Sequence, residues 1–282
     1  MRPAILCVHQ IGKVGSTTVA QALQRMLPDQ EIHQTHFLSE RGVLKCMEWW
    51  LNRAQSPRFR LADHVSRSIE LRRHFVRRQQ SVNWYLFTLV REPIGRNVSA
   101  FFQNLHKTWT YRLPSAEQQT CRRILKGDAE PVSEDERNAL VASLIELFKA
   151  EYGARLHDEW FDAEIRDLFG IDVFATPFPA EKGYEIYEKE NARLVLVRLE
   201  DLRRVFIPVV REWLEDSGLA PIGLDSIELE SERANDGSSK AYADLYRTFR
   251  RELQMDAAEL DRAFESRVVK HFYTDAERAN FL

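Results

Sequence analysis

Short apolar runs alternate with helical patterns along most of the chain. The run Pro3–His9 leads into a glycine-containing turn, after which apolar residues recur at helical spacing from Thr17 to Met26. Glu31–Leu38 is a candidate second strand, and residues 43–80 have a mainly helical pattern. A strand, a turn and a helix in this order predict the first β-α unit of a parallel sheet.

The clearest buried strand is Asn83–Val90, which is rich in β-forming residues and stops at Arg91. Pro93 suits the first turn of the helix that follows. Arg193–Arg198 predicts a third core strand, followed directly by a helix that runs through Trp213. Because strands and helices alternate, we expect parallel β-α units.

Helical patterns dominate the rest of the sequence. Residues 133–170 alternate charged and apolar positions at helical spacing, and Ser133 with Glu136 forms a candidate capping box. The C-terminal tail also favours helices. We therefore predict an α/β fold with a P-loop-like parallel sheet flanked by helices, a helical insertion at about residues 108–170 and C-terminal helices. Since no repeat or low-complexity linker interrupts the sequence, residues 1–282 are expected to form a single domain.

The composition is that of an ordinary folded protein without an overall attraction for polyanions. Of the 282 residues, 44% are hydrophobic and 29% are charged, which excludes disordered and collagen-like classes. The formal net charge is only −3, so we expect no nucleic-acid partner and place any anion site in a local pocket.

Cysteine usage and the apolar runs bear on the compartment. Cys7, Cys46 and Cys121 are too few and too far apart to predict a disulfide framework or a structural zinc site, and a reducing compartment is the simplest assumption. The first apolar run is too short for a signal peptide, and no apolar stretch approaches the ~20 residues of a membrane span. We therefore expect a soluble, cytoplasmic protein.

The segment Gln10–Val19 carries the strongest chemical signal. It places a lysine, small residues and hydroxyls between a buried strand and a helix start, where backbone N–H groups bind phosphate. An ordinary turn with Ser16 or Thr17 as helix N-cap is the alternative interpretation. The spacing differs from that of ATP- and GTP-binding loops, because Val14 rather than a hydroxyl residue follows Gly12-Lys13. A metal-free transfer from a phosphorylated donor is therefore favoured over a kinase.

Two motifs resemble those of sulfotransferases that use 3′-phosphoadenosine 5′-phosphosulfate. The first is the pattern K-x-G-[ST]-[ST] of their 5′-phosphosulfate loop, matched by Lys13, Gly15, Ser16 and Thr17. The second is an arginine at a strand end with a serine eight residues later, matched by Arg91 and Ser99. Taken singly, Arg91 suits a surface salt bridge and Ser99 a helix-packing position, but the two motifs together indicate a donor site.

The resemblance implies a co-substrate and a set of residues that hold it. The co-substrate is 3′-phosphoadenosine 5′-phosphosulfate, the product is adenosine 3′,5′-bisphosphate, and Lys13 is catalytic through the oxygen that bridges sulfur and phosphorus. Ser239 and Lys240 lie where such enzymes carry a basic loop over the 3′-phosphate, although a loop capped by Ser239 also explains them. The implied donor-binding residues are Gly12, Lys13, Val14, Gly15, Ser16, Thr17, Thr18, Arg91, Ser99, Ser239 and Lys240.

Weaker similarities extend over most of the chain. Leu194–Leu202 resembles the R-x-E-D-L element of bacterial and carbohydrate sulfotransferases, although a strand end with Asp201 as helix cap also explains it. Phe169–Tyr187 and Lys270–Thr274 are similar to proteins described as capsular polysaccharide synthesis proteins. The resemblance therefore implies a carbohydrate hydroxyl as the acceptor.

An acceptor hydroxyl needs a base, and we predict His36 because histidine titrates near neutrality. His36 follows the expected second strand, in a region where some sulfotransferases place a catalytic acidic residue. His33, His9 and Glu40 are the alternatives. Because no carboxylates or thiols accompany His33 and His36 at ligand spacing, we predict no metal.

A basic run lies between Arg53 and Arg78, with eight arginines against two acidic residues. It predicts either a solvated helix face or a surface that receives an anionic saccharide or the donor. Aromatic residues that could stack on a sugar are Trp49, Trp50, Trp109, Tyr111 and Trp160.

The predicted function is thus sulfuryl transfer from a nucleotide donor to a saccharide acceptor. A P-loop nucleotide-dependent kinase and a non-catalytic nucleotide- or glycan-binding protein on the same scaffold are the alternatives. The oligomeric state stays open at this point.

Overall fold

A five-stranded sheet organises the N-terminal part of the protein. The computed structural model describes residues 2–53, 63–128, 132–152, 158–224, 229, 241–278 and 281. Its strands are β1 (Ala4–His9), β2 (Ile32–Thr35), β3 (Asn83–Val90), β4 (Tyr184–Lys189) and β5 (Ala192–Arg198). They stand in the order β2-β1-β3-β5-β4, and all neighbours are parallel except β4 and β5. The predicted α/β fold is confirmed.

The central strands owe their position to long apolar runs. Seven of the eight residues of β3 are buried, and the last five residues of β5 are buried as well. Such near-continuous apolar runs are typical of parallel strands that are covered on both faces. Val8 of β1 pairs with Gln34 on one side and Phe87 on the other, so β1 lies inside the sheet.

Two strands differ from the sequence prediction. The second strand was expected over Glu31–Leu38, but β2 ends at Thr35 because the backbone beyond it is bonded to side chains instead of a neighbouring strand. β4 was not predicted at all. It is a half-exposed edge strand that reads Tyr-Glu-Ile-Tyr-Glu-Lys, so alternation was its only signal.

The remaining regular secondary structure of the described chain is helical. The α-helices are α1 (Ser16–Met26), α2 (Glu40–Arg53), α3 (Asp63–Arg78), α4 (Pro93–Gln103), α5 (Ser115–Lys126), α6 (Glu134–Tyr152), α7 (Asp158–Phe161), α8 (Asp167–Phe169), α9 (Leu202–Trp213), α10 (Ala243–Glu252), α11 (Ala257–Phe264), α12 (Arg267–Phe272) and α13 (Asp275–Arg278). Leu105–Trp109 and Asp162–Arg166 are π-helical, and Thr110–Arg112 and Leu199–Asp201 are 3-10 turns.

The chain groups into two compact units, and the first contains the whole sheet. It consists of residues 1–91, 157–231 and 271–274. Leu6, Leu86 and Leu196 are among the fully buried residues of the strands, and Trp213 of α9 packs edge-on against Phe87. The sheet core thus draws on segments that are far apart in the sequence.

The second unit is helical and has an aromatic core. It consists of residues 92–156, 232–270 and 275–282. Phe101 stacks on Trp109 and on Phe249, with ring centroids 5.7 and 5.9 Å away. The predicted capping box is confirmed, since the Ser133 backbone N–H donates to Glu136 and the Glu136 N–H donates to the Ser133 hydroxyl. That residues 1–282 act as one domain stays a prediction.

The R-x-E-D-L stretch has a structural role in the first unit. Arg198 ends β5, is 4% exposed, and donates to Asp201 at 2.6 Å, to the Ala180 carbonyl at 2.8 Å and to the Phe272 carbonyl at 3.2 Å. Tyr273 donates to Glu200 at 3.0 Å. Asp201 does occupy the N-cap position of α9, but its carboxylate makes no capping bond and is bonded to arginine instead.

Gly183 lies against Asp201 of this ion pair, and a residue with a Cβ would not fit there. Its φ is +81°, and a Cβ there would lie 2.6 Å from Cγ of Asp201. We expect Gly183→Ala to lower the free energy of unfolding by about 2–5 kcal/mol, from left-handed strain plus overpacking. Denaturant titration measures the loss.

Gly170→Ala is the matched control in the same unit. Gly170 also has a left-handed φ, +69°, but the nearest atom to its added Cβ is a lysine methylene at 3.5 Å. Only the backbone strain of about 1–2 kcal/mol is expected there. Equal losses in the two variants would contradict a specific contact between Gly183 and Asp201.

Candidate functional site

The loop between β1 and α1 lies at the carboxyl end of the sheet. Lys13 and Gly15 both have left-handed backbones, with φ of 72° and 85°, and Val14 between them is fully buried. Left-handed residues of this kind turn successive N–H groups towards one concave side, and α1 adds its N-terminus. This is the geometry of a backbone anion site.

Glycine is required at position 15. A Cβ there would lie 2.7 Å from Cδ1 of Leu199, and the backbone is left-handed as well. Gly15 is itself the N-cap of α1, without a side-chain cap, so the alternative in which Ser16 or Thr17 caps the helix is wrong. The Ser16 hydroxyl accepts a hydrogen bond of 2.8 Å from Gln34 on β2, while Thr17 is half-buried in the first helical turn.

Strand order brings Arg91 to this loop. β1 has β2 on one side and β3 on the other, so the chain changes direction across β1 and leaves a crevice at the carboxyl ends of β1 and β3. The loop follows β1, and Arg91 follows β3 directly. Nη1 of Arg91 lies 3.4 Å from the carbonyl oxygen of Lys13 and donates to it. Two of the predicted cationic residues therefore flank one crevice.

His36 lies against the same loop. Its Nδ1 is 3.0 Å from the carbonyl oxygen of Gln10, which can only accept, and 3.4 Å from the side-chain nitrogen of Gln10, which can only donate. We assign the hydrogen to Nδ1 because its contact with the carbonyl is the shorter of the two, and the lone pair then belongs to Nε2. A Cβ placed on Gly12 would be 3.8 Å from that Nε2. Nε1 of Trp160 donates to the His36 carbonyl at 2.9 Å and holds the backbone. The basic nitrogen of His36 therefore faces the loop.

A buried carboxylate anchors the segment that carries His36. Glu164 is 1% exposed and accepts from the N–H groups of Leu38 and Ser39 at 2.6 and 2.8 Å and from the Ser39 hydroxyl at 2.5 Å. Nε2 of the fully buried His9 lies 3.4 Å from its Oε2. Burial alone would raise the pKa of Glu164, but His9 and these hydrogen bonds together hold the pKa below its ordinary value.

Comparison with known proteins agrees with this geometry. A family model described as "Sulfotransferase family" matches residues 5–147, just over half of the chain, including β1, the loop, β3 and α4. The chain belongs to the sulfotransferase family. A second model, described as "Putative capsular polysaccharide synthesis protein", matches residues 134–274. No curated protein and no solved structure matches the chain.

The alternatives to His36 occupy less suitable places in this sulfotransferase. His9 is fully buried under Trp160, with ring centroids 5.0 Å apart. His33 lies within β2 beside Glu31, and burial is the main cause that lowers its pKa. Glu40 accepts from Arg72 at 3.1 Å. The identity of the base stays a prediction, and the contacts favour His36.

The other residues predicted to bind the donor are Ser99, Ser239, Lys240 and Thr18. Ser99 lies half-buried on α4, which belongs to the second unit, so its convergence with Arg91 stays a prediction. Ser239 and Lys240 lie outside the described residues. Thr18 is half-buried on α1, one residue beyond the matched motif.

Two of the aromatic residues proposed for sugar stacking are part of the core. Trp109 is 1% exposed within the second unit, and Trp160 is 6% exposed between His9 and Phe161. Tyr111 is 51% exposed, and the side chains of Trp49 and Trp50 lie outside the described part of the chain. Burial leaves Trp109 and Trp160 no face for a saccharide.

Sequence reasoning missed two residues that build the site: Gln34, which bonds Ser16, and Glu164, which holds the segment after His36. It gave Trp160 a different role, sugar stacking, whereas the indole N–H of Trp160 donates to the His36 carbonyl. Glu164 gave no clear signal in the sequence, because a second carboxylate, that of Asp162, lies in the same stretch between Phe161 and Ile165. Its partners are more than 120 residues away in the sequence, so spacing could not identify them.

Neither a metal-binding group nor a membrane-spanning helix is found among the described residues. They contain no group of three or more histidine, cysteine, aspartate or glutamate side chains that could hold a metal ion. None of their helices combines the length and the apolar character needed to cross a membrane.

We expect Glu164→Gln to lower the free energy of unfolding by about 1–3 kcal/mol at neutral pH, because an amide satisfies fewer of the buried donors. Glu159→Gln is the matched control, since that carboxylate is 78% exposed and its change should stay within about 0.5 kcal/mol. The two losses are compared by urea titration.

The difference between wild type and Glu164→Gln should also depend on pH. Because the folded pKa of Glu164 is lowered, its contribution is complete above the ordinary carboxyl pKa of about 4.3 and is lost as pH falls through the folded pKa. The stability gap is expected to shrink on acidification below about pH 4. A gap that is constant or that widens at low pH would refute this assignment.

Proposed function

We propose that this sulfotransferase moves a sulfuryl group from 3′-phosphoadenosine 5′-phosphosulfate to a carbohydrate hydroxyl. The observation that carries the proposal is the contact between Arg91 and the Lys13 loop at the crevice between β1 and β3. Membership of the sulfotransferase family supports a sulfate donor, and the loop lacks the hydroxyl that a magnesium-nucleotide site places after its lysine.

The donor's two phosphate groups are assigned to different parts of the crevice. The N–H groups of Gly12 to Thr18, with the hydroxyls of Ser16, Thr17 and Thr18, hold the 5′-phosphate. Arg91 binds the 3′-phosphate through its planar fork of donors. Ser99, Ser239 and Lys240 complete that second site in our proposal.

The transfer itself needs charge stabilisation and one proton acceptor. The acceptor oxygen attacks sulfur in line, a new S–O bond forms, and the bond between sulfur and the donor's phosphate oxygen breaks. Lys13 stabilises the negative charge that develops on this leaving oxygen. Nε2 of His36 accepts the hydroxyl proton, and the bond from Nδ1 to the Gln10 carbonyl keeps that nitrogen basic.

A saccharide acceptor rests on the second family. The model described as "Putative capsular polysaccharide synthesis protein" covers residues 134–274, which include β4, β5 and the Arg198 ion pair. A polysaccharide offers many hydroxyls of the kind that His36 would deprotonate. We therefore assign the acceptor to the class of capsular or related polysaccharides.

Titration calorimetry with adenosine 3′,5′-bisphosphate, ADP and 5′-AMP tests the donor assignment. We expect the bisphosphate to bind at least about tenfold more tightly, since only it has a 3′-phosphate for Arg91, and each charge-assisted contact contributes about 1.5–3 kcal/mol. Arg91→Ala and Ser99→Ala should remove the preference, whereas exposed Lys126→Ala should not. Equal affinity for all three nucleotides would refute the donor, and magnesium-dependent ATP binding would favour a kinase.

Replacement of His36 tests the base separately from donor binding. His36→Ala should lower kcat for sulfate transfer by about 10²–10⁴-fold, the usual contribution of a general base, with unchanged affinity for adenosine 3′,5′-bisphosphate. The exposed His106→Ala is the control. Full turnover in His36→Ala would assign proton removal to another group, and binding without turnover in the wild type would indicate a non-catalytic binding protein.

A further inference from the structure

A groove lined by aliphatic and arginine side chains opens between α2 and α3. Its volume is about 290 Å³, and both helices contribute to its walls. The lining residues are Val43, Ile69, Arg72, Arg73, Val76 and Arg77. Those from α3 lie three, four, seven and eight positions beyond Ile69, so they form a single face of that helix.

The groove concentrates guanidinium groups that are available to a ligand. Arg73 and Arg77 are exposed, and the described residues place no carboxylate in ion-pair distance of either. Arg72 is engaged, since it donates to the Leu38 carbonyl at 2.8 Å and to Glu40 at 3.1 Å. Glu70 is the acidic residue of α3 nearest to these arginines in sequence, and it is exposed. The local charge at the groove is positive in a chain of net charge −3.

The same two helices expose an unusual amount of aliphatic surface. Among the described residues, five large hydrophobic side chains are mostly exposed, and three of them lie on α2 and α3. Val76 is 66% exposed at the groove, between Arg73 and Arg77, and α2 adds Leu44 and Leu51 at 56% and 63%. Exposed aliphatic residues among arginines are typical of helices that lie on membrane surfaces.

We propose that this groove docks the protein on a bilayer that contains anionic phospholipid. Guanidinium groups only donate hydrogen bonds, and a lipid phosphodiester only accepts them, so their hydrogen bonding and their charge are complementary. A neutral saccharide hydroxyl carries no charge and also donates, and the lining side chains offer it donors only, so it is a poorer match. The aliphatic floor of Val43, Ile69 and Val76 fits the glycerol and upper acyl region of a lipid.

Docking here would have a consequence for the candidate site. Arg72 lines the groove and also bonds the Leu38 carbonyl, two residues beyond His36. A bilayer at the groove would therefore lie beside the segment that carries the proposed base. The docking surface extends the proposed function and does not require it, because no donor-binding residue lines the groove.

Sedimentation with vesicles tests the proposal. The full chain is mixed with vesicles of phosphatidylcholine alone or of phosphatidylcholine with 30% phosphatidylglycerol, and the bound fraction is measured. We expect binding to the anionic vesicles only, weakened by 0.5 M salt. Arg73→Ala with Arg77→Ala should lower the partition coefficient about 25-fold, because each arginine near such a surface contributes about fivefold.

Two further variants make the result specific. Val76→Ser keeps every charge and should weaken binding about threefold through the lost apolar contact. Arg203→Ala with Arg211→Ala, on exposed positions of α9 in the same unit, should bind like the wild type. Each variant is first shown to unfold at the same urea concentration as the wild type, which separates failure of docking from failure of folding. Binding of adenosine 3′,5′-bisphosphate is measured independently, so failure of the donor assignment leaves the docking result unchanged.

Several outcomes of the vesicle experiment would overturn the docking proposal. Absent binding, equal binding to neutral and anionic vesicles, or an unchanged partition coefficient in the double arginine variant would each overturn the proposal. Dextran sulfate that binds through Arg73 and Arg77 when vesicles do not would overturn it in favour of a soluble polyanion.

Discussion

The parallel pairing of β1 with β3 is the constraint on which the candidate site depends. Cys7 pairs with Leu86 and Val8 with Phe87, and this register fixes where each strand ends. The loop after β1 and Arg91 after β3 must then meet at one edge. Buried leucines and phenylalanines on both faces hold the pairing, so the donor crevice depends on a core whose residues carry no chemistry.

Local charge and local strain both concentrate at that edge. Lys13 adopts φ of 72°, a conformation that costs a non-glycine residue roughly 1–2 kcal/mol, and it does so where a cation is needed. Glu164 is almost fully buried and satisfied by several donors, so its burial forms a specific link between the π-helical stretch Asp162–Arg166 and the His36 segment. Both features arise from the local placement of single charged residues. The near-neutral overall composition therefore says little about the site.

The sequence allowed much of the fold and part of the site to be predicted, for reasons that differ by residue. β3, β5 and α1 have strong apolar patterns, and Lys13 and Arg91 sit in motifs with a fixed spacing from strand ends. β4 was not predicted because an edge strand needs no continuous apolar run. The role of Glu164 was not predicted because it arises only from contacts across the fold. Asp201 stands at the N-cap position of α9, as the sequence suggested, but its carboxylate does not cap the helix because Arg198 binds it.

Arg198 has a consequence for the order in which the sheet unit can form during synthesis. It is nearly fully buried, and one of its acceptors is the carbonyl of Phe272, 74 residues further along the chain. Residues 271–274 belong to the sheet unit although they are far from its strands in the sequence. Until the ribosome has added Phe272, this guanidinium lacks that carbonyl partner. The nascent sheet unit therefore reaches its final hydrogen bonding only after synthesis has passed this residue.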